Sequence, residues 1–178
     1  MSKLYKEIYV LKTILRKGWL IRNVCGDNRT LRTESDAEHV FSTGILALEI
    51  MEKENLKLDK LKVLKMIFFH EFGEIDNGDI TPFDNVSIEE KHCKERKCVE
   101  RISEECKMPE ILTLWLEFEE NKTDEAKFVR IVDKFDAVLQ AQVYSDKIQD
   151  GGKLFEEFYL HYQDLIKGFE KYLGEQND

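Results

Sequence analysis

The chain has 178 residues, of which 42% are hydrophobic, and a formal net charge of −9. These values predict one globular domain over residues 1–178 with a buried core. The acidic excess argues against binding of long nucleic acids, which need a basic face, but leaves small anionic ligands open. No run of about 18 apolar residues occurs, and the N-terminal residues lack the apolar core of a secretory signal. We therefore expect a cytoplasmic protein without membrane contact.

The four cysteines are consistent with that compartment. They have neither the paired spacing of a structural zinc site nor the density of a disulfide scaffold. We expect free thiols in a reducing environment at Cys25, Cys93, Cys98 and Cys106.

The segment from Lys12 to Arg32 reverses the acidic balance of the chain. It contains six basic residues and a single acidic one, Asp27. Because cationic donors suit anionic oxygens, this segment is a candidate for holding a phosphate group.

The pattern of residues predicts an all-α fold. Only two prolines and nine glycines are present, and apolar and polar residues almost never alternate over a run. Helices are predicted over about residues 3–17, 36–54, 60–75, 87–106, 109–119, 124–148 and 153–173. A basic loop is predicted between Gly18 and Glu34. The core is expected over about residues 3–148, and the last helix closes the bundle.

Several helix starts carry capping residues. Capping-box pairs are expected at Ser35/Glu38 and Ser87/Glu90, with further caps at Asp59 and Thr123 and a first-turn proline at Pro109. The first pair places His39 in the first turn of the second predicted helix.

An apolar helix runs directly into a cluster of ionisable groups between residues 67 and 82. At about 100° per residue, its apolar stripe is predicted to contain Leu61, Leu64, Ile67 and Phe68. His70, Glu71 and Glu74 fall at the edge of that stripe and are expected to face the core. A buried carboxylate is costly unless it is paired, hydrogen-bonded or bound to a metal. The three residues therefore indicate a site.

Partners for these groups are found on two other predicted helices. His39 begins the second helix, and Asp133 and Asp136 lie in an otherwise apolar part of the long helix. Two histidines and two carboxylates on helices that converge are suited to a divalent metal.

This order of residues resembles the signature of the HD-domain superfamily of metal-dependent phosphohydrolases, which reads H, then HD, then D. A longer pattern resembles the 5'-deoxynucleotidase branch of that superfamily and covers roughly residues 3–148. Its elements are GWxxRNV from Gly18, SxxEH from Ser35, HExxExxxGDIxP from His70 and AKFVxxxD from Ala126. Two features depart from the branch: Glu71 stands where the family has aspartate, and the loop between Asn23 and Glu38 is longer.

The resemblance implies a single-domain helical bundle of the HD-domain type that binds a divalent metal. The implied ligands are His39, His70, Glu71 and Asp133, and the metal is manganese, cobalt, iron, magnesium or zinc. Glu74 resembles the catalytic carboxylate of the family, which orients or deprotonates water. Asp79 resembles a second acid, which helps to hold substrate or a second cation.

The implied substrate is a nucleoside 5'-monophosphate in its ribo or deoxy form, and the reaction is hydrolysis of its phosphate ester. Lys17 and Arg22 are the predicted phosphate contacts, and Trp19 is predicted to stack on or border the sugar and base. The resemblance also implies a homodimer.

Other interpretations stay open. The same metal site suits another small phosphate ester, or a cyclic or polyphosphorylated nucleotide, and Glu71 suits a catalytically weak protein that binds nucleotide or metal. Asp79 is also a good turn residue beside Gly78, and Arg22 is also suited to a structural ion pair. Asp136 is either a supporting acid or a polar neighbour. His92 and His161 are expected on the surface.

Overall fold

A computed structural model of the protein describes residues 2–26 and 31–173, without the side chain of Pro82. Within these residues the helices are α1 (Lys3–Leu11), α2 (Lys17–Ile21), α3 (Asp36–Lys53), α4 (Lys60–Phe69), α5 (Ile88–Cys106), α6 (Pro109–Glu120), α7 (Asp124–Ile148) and α8 (Lys153–Tyr162). Three short 3-10 helices add His70–Glu74, Pro82–Asp84 and Glu170–Tyr172. The predicted all-α class is confirmed.

The predicted helix starts are confirmed by their caps, although the Ser87/Glu90 pair makes only the bond from the Glu90 amide to the Ser87 side chain. The Ser35 side chain accepts from the Glu38 amide, and the Glu38 carboxylate accepts from the Ser35 amide at 2.9 Å. Asp59, Ser87 and Thr123 each accept from amides in the first turn of α4, α5 and α7. These bonds satisfy donors that have no partner inside the helix.

The first predicted helix is too long by about one and a half turns, because α1 ends at Leu11. The chain then runs beside the segment that precedes α3. The Arg16 amide donates to the Glu34 carbonyl at 3.0 Å, and the Asp36 amide donates to the Ile14 carbonyl at 3.0 Å. These long-range bonds replace the helical ones and hold Arg16 against the start of α3.

The predicted loop of residues 18–34 is also partly wrong, since α2 occupies its beginning. Residues 22–26 and 31–34 are non-helical as predicted. Residues 27–30, and with them Asp27 and Arg29 of the basic segment, lie outside the described part of the chain.

Two further helices end earlier than predicted. α4 ends at Phe69 and continues as a 3-10 helix over residues 70–74, in which side chains three positions apart lie on one face. That geometry places Glu71 and Glu74 side by side. α8 ends at Tyr162, and the chain then bends through Gly168, whose φ of +93° is unfavourable for other residues.

The buried face of α4 is rotated by part of a turn from the apolar stripe that the sequence predicts. Leu61 and Phe68 are 63% and 48% exposed, whereas Val63, Met66 and Ile67 are fully buried. The reason is that α4 turns another face towards α3 and α7, which pack against it. Three apolar residues of α3, which packs against α4, are exposed as well. We refer to the exposed apolar residues of these two helices as the α3–α4 apolar face, which comprises Phe41, Ile45, Leu48, Leu61 and Phe68.

α7 is the central helix, packing against α3, α4, α6 and α8. Its residues Val129, Val132, Phe135 and Val138 are fully buried in the main core. A smaller core under α2 and α8 contains Trp19, Val24, Ala141, Tyr144 and Leu154. In residues 2–26 and 31–173, no helix combines the length and apolar character needed to cross a bilayer.

Gly73 allows α5 to approach the 3-10 helix closely. A Cβ atom on Gly73 would lie 2.6 Å from the Glu95 Cβ and 3.2 Å from its Cα, so the α5 backbone would have to move. We expect Gly73→Ala to lower the free energy of unfolding by about 1–3 kcal/mol, measured by urea denaturation.

Gly44→Ala is the matched control for that substitution. A Cβ on Gly44 in α3 would meet Leu64 and Ile67 at 4.0 Å, which is ordinary contact. Because alanine favours a helix interior, this variant is expected to be neutral or more stable. Equal destabilisation by both substitutions would contradict the close-approach argument.

Candidate metal centre and active site

Four predicted ligands come together in the interior. His39 from α3, His70 and Glu71 from the 3-10 helix and Asp133 from α7 each offer one donor atom, and these atoms all lie within 4.8 Å of one another. Their exposed fractions are 8% or less. Three chain segments far apart in sequence thus build one compact cluster of two nitrogens and two oxygens.

His39 is held by an acid on each side of its ring. Nδ1 lies 2.7 Å from Asp136 Oδ2, and Nε2 lies 3.1 Å from Asp133 Oδ1. Burial lowers the pKa of His39, as does Arg16, but the bonds to Asp133 and Asp136 raise it to about 10. The Asp136 bond fixes the ring, so that Nε2 faces the cluster, and a cation bound there has to replace the Nε2 proton.

His70 is already set up as a ligand. Its Nδ1 donates to the Ile67 carbonyl at 2.6 Å, so Nε2 is the ring nitrogen that faces the cluster. Nε2 is buried and has no hydrogen-bond partner within the described residues. An unsatisfied buried nitrogen directed at two carboxylates fits metal ligation.

The two carboxylates of the cluster are ionised. Burial raises the pKa of Glu71, but Arg16, whose Nη1 is 2.6 Å from Glu71 Oε1, and His70 lower it well below its usual value. Burial also raises the pKa of Asp133. Lys134, whose Nζ lies 2.9 Å from Asp133 Oδ2, and the hydrogen bond to His39 outweigh burial and lower that pKa well below its usual value. A set of two imidazoles and two carboxylates therefore fits a divalent cation.

Glu74 lies beside the cluster and is 5% exposed, and its Oε2 has no hydrogen-bond partner among the residues described. Burial, and then the charges of Glu71 and Asp36, raise its pKa well above the usual value. Burial and Glu71 likewise raise the pKa of the fully buried Asp36 to about 7, although Arg16 lowers it. Carboxyl groups with raised pKa values next to such a cluster of possible metal ligands are suited to proton transfer.

Sequence reasoning missed Asp36. Acidic residues are common in the first turn of a helix, where they interact favourably with the helix dipole, so Asp36 reads as an ordinary residue at a helix start. The available signal was its spacing, because Asp36 and His39 lie three positions apart and therefore on the same face of α3.

Asp79 ties the loop after the 3-10 helix to α2. Its Oδ2 accepts from the Lys17 amide at 2.7 Å, while the Lys17 ammonium group pairs with Asp84. Asp84 also accepts from the Thr81 amide at 2.8 Å. The predicted residue Lys17 thus contacts the site through its backbone, and its side chain is paired outside it.

Two cavities adjoin the cluster and share a wall formed by Arg16, Asp79, Lys91 and Lys134. The α8 cavity, of about 480 Å³, is further lined by Trp19, Arg22, Phe158, His161 and Tyr162, among others. The α5 cavity, of about 340 Å³, is lined by side chains of α5, α6 and α7 and by four residues of the site, His70, Glu71, Glu74 and Asp133. The shared wall carries three cations and one acid, which suits a phosphate group.

The two other predicted substrate contacts lie at the α8 cavity. Trp19 is 3% exposed, and its Nε1 donates to Glu34 Oε1 at 2.8 Å. Arg22 Nε donates to Glu157 Oε1 at 3.0 Å, so its guanidinium is paired in this structure. In residues 2–26 and 31–173, the cations paired with carboxylates of the ligand cluster are Arg16 and Lys134, neither of which was singled out from the sequence.

Comparison with protein families identifies the class. A family model described as HD domain matches residues 8–172, and the chain therefore belongs to the HD-domain family. The 5'-deoxynucleotidase HDDC2 of Homo sapiens is 34% identical over 152 residues, covering 84% of this chain and 70% of that protein. The 5'-deoxynucleotidase hdd1 of Schizosaccharomyces pombe is 34% identical over 170 residues, covering 89% of this chain and 81% of that protein. Within the family, the chain belongs to the branch that contains these proteins, as the sequence motifs predicted.

Solved structures support the same fold. The PH0347 protein from Pyrococcus horikoshii OT3 has a TM-score of 0.75 at 29% identity, covering 97% of this chain and 94% of that chain. A predicted metal-dependent phosphohydrolase from Magnetospirillum magnetotacticum MS-1 has a TM-score of 0.62 at 24% identity, covering 91% of this chain and 89% of that chain. These structures share the helical bundle, and the family model over residues 8–172 makes it that of an HD domain.

Proposed function

We propose that the protein is a metal-dependent phosphohydrolase that releases phosphate from nucleoside 5'-monophosphates, including deoxy forms. The observation that carries this proposal is the buried cluster of two histidines and two carboxylates, with Glu74 beside it and a cationic wall next to it. The names of the 5'-deoxynucleotidase relatives support the choice of substrate.

In the proposed reaction His39, His70, Glu71 and Asp133 hold a divalent cation, of which manganese, cobalt, iron, magnesium and zinc are the candidates. What the cation supplies when bound is a lowered pKa for water and neutralised charge on the phosphoryl oxygens. Glu74 in its ionised form takes the proton of the attacking water, since its carboxylate lies next to the cluster, where the charge of a bound cation would oppose the raised pKa.

The charged residues around the cluster position the substrate. Arg16, Lys91 and Lys134 donate hydrogen bonds to phosphoryl oxygens, because all three line the wall shared by the two cavities. Lys17 and Arg22 stay predictions as further phosphate contacts, and Arg22 has to leave Glu157 to act in this way. Asp79, with Glu74, offers carboxylate oxygens for the substrate region or a second cation.

A substrate panel tests the proposed function. Phosphate release is measured from the 5'-monophosphates of the common nucleosides in ribo and deoxy forms, beside 3'-monophosphates, cyclic nucleotides and nucleoside triphosphates. The proposal requires the 5'-monophosphates to give the highest kcat/KM. A preference for cyclic or polyphosphorylated nucleotides would instead support the second enzymatic interpretation.

A catalytically weak sensor is the competing class, and Glu71→Asp separates it from an enzyme. Glu71 Oε1 lies 2.6 Å from Arg16 Nη1 and 3.4 Å from His70 Nε2, so the longer side chain reaches both groups. Shortening it by one methylene group breaks one of these contacts. We expect kcat/KM to fall about 10- to 100-fold.

The matched control for that experiment is Glu120→Asp, on the exposed end of α6, which is expected to keep full activity. A large rise in turnover for Glu71→Asp would contradict our expectation. It would favour a native site that is impaired by glutamate.

We further propose a homodimer formed through the α3–α4 apolar face. Its aromatic members Phe41 and Phe68 are 68% and 48% exposed, and burial of such surface favours association. Light scattering is expected to show a dimer for the wild type and for Tyr9→Ser, a control on α1 with 62% exposure, but a monomer for Phe68→Ser. A monomeric wild type would refute the dimer.

We also propose that the protein works in the cytoplasm. The four cysteines are free thiols, and Cys93 is exposed, which suits a reducing compartment. Labelling of the native protein by a thiol reagent, followed by mass measurement, is expected to modify Cys93 without prior reduction.

A further inference from the structure

Four aromatic rings form a continuous wall along one side of the α8 cavity. Trp19 stacks on Phe158 with ring centroids 4.5 Å apart, Phe158 lies 6.3 Å from Tyr162, and Tyr162 lies 4.5 Å from His161. All four residues line the cavity. The last three come from one face of α8, because positions separated by three or four residues are neighbours on a helix.

The α5 cavity has a different character. Besides the cluster and the shared wall, it is lined by the ionisable side chains of His92, Glu95, Glu119 and Arg130 and by two apolar residues, Ile88 and Phe118. The His92 Nδ1 lies 3.2 Å from Glu119 Oε2, and Lys91 Nζ lies 3.5 Å from Glu95 Oε1. A flat, largely apolar base placed there would displace water from charged groups without replacing their hydrogen bonds.

The cationic wall fixes where the phosphate lies between these cavities. Lys134 contacts the ligand Asp133 at 2.9 Å and also lines the α8 cavity, so one end of that cavity is directly next to the cluster. A phosphate bound by Arg16, Lys91 and Lys134 is thus followed, along the α8 cavity, by the aromatic wall. The α8 cavity has about 480 Å³ for the rest of the molecule.

We infer that the α8 cavity, and not the α5 cavity, is the nucleoside site, in which the base binds against the rings of His161 and Tyr162. This inference rests on the proposed function and assigns a role to α8 that the sequence motifs do not. Stacking on aromatic side chains is tolerant of base identity, so the site accepts several bases.

His161→Ala and His92→Ala form a matched pair that tests this assignment, because each removes one imidazole from one cavity only. His161 is exposed, so its loss leaves the core intact. Each variant is assayed with a deoxynucleoside 5'-monophosphate and with deoxyribose 5-phosphate, which lacks the base. Tyr162→Leu provides a second variant of the aromatic wall, and thermal denaturation verifies that each protein is folded.

We expect His161→Ala to raise KM for the nucleotide about 10-fold with kcat unchanged, and to leave KM for deoxyribose 5-phosphate unaltered. His92→Ala is expected to change neither KM. A rise in nucleotide KM caused by His92→Ala but by neither α8 variant would overturn the inference. If the wild-type protein is inactive, the proposed function is refuted as well. If the wild type is active and the nucleotide KM is unchanged in both α8 variants, only the base site is refuted.

Discussion

Replacing Asp133 with asparagine is expected to abolish metal retention and, with it, phosphate release. The carboxylate contacts His39 Nε2 at 3.1 Å and Lys134 Nζ at 2.9 Å, so it joins a proposed ligand to a proposed phosphate contact. An amide keeps the shape but loses the charge that attracts a cation. We expect metal affinity to fall by at least about 100-fold, measured by elemental analysis after dialysis.

Asp146→Asn is the matched control for this substitution. Asp146 lies on the same helix, α7, but is exposed to solvent. This variant is expected to retain wild-type metal content and activity. Full metal content in Asp133→Asn would contradict the assignment of Asp133 as a ligand, whatever its activity.

Glu74→Gln is expected to lower kcat about 10²- to 10⁴-fold while the metal content stays at the wild-type level. Glutamine has nearly the same size and keeps the packing of this buried side chain, but it cannot take a proton from water. Since Glu74 is not among the four clustered ligands, loss of turnover without loss of metal separates its role from theirs.

The control for Glu74→Gln is Glu104→Gln, an exposed position on α5 that is expected to have no effect on kcat. Steady-state kinetics and elemental analysis on the same samples provide both readouts. A Glu74→Gln protein that keeps full turnover would remove Glu74 from the proton-transfer step.

Much of the fold follows from local chemistry in the sequence. α3, α5, α6 and α7 were predicted almost to the residue because a cap or a proline marks each start, and in α6 and α7 an apolar period follows. The early end of α1 was not predicted, because it depends on main-chain bonds between Arg16 and Glu34 that only the folded chain brings together. The same reason applies to the exposed Phe68, whose helix turns according to its neighbours.

The candidate site shows a similar division. His39, His70, Glu71 and Asp133 carry a family motif, and the structure brings their donor atoms together. Glu74 and Asp79 beside the site belong to the same motifs, but several other charged groups around it belong to none.

Arg16, Asp36 and Lys134 approach the site from three separate elements, and each looks like an ordinary surface or cap residue when the sequence is read locally. Their importance arises from burial and charge, which are properties of the assembled bundle.

Metal dependence of phosphate release is the most direct test of the central claim. The wild-type protein is treated with a chelator, dialysed, and assayed on deoxynucleoside 5'-monophosphates before and after addition of manganese, cobalt, iron, magnesium or zinc. We predict that the chelated protein releases no phosphate and that at least one of these cations restores release. Phosphate release that persists in metal-free protein, or that no cation restores in a folded sample, would contradict the account.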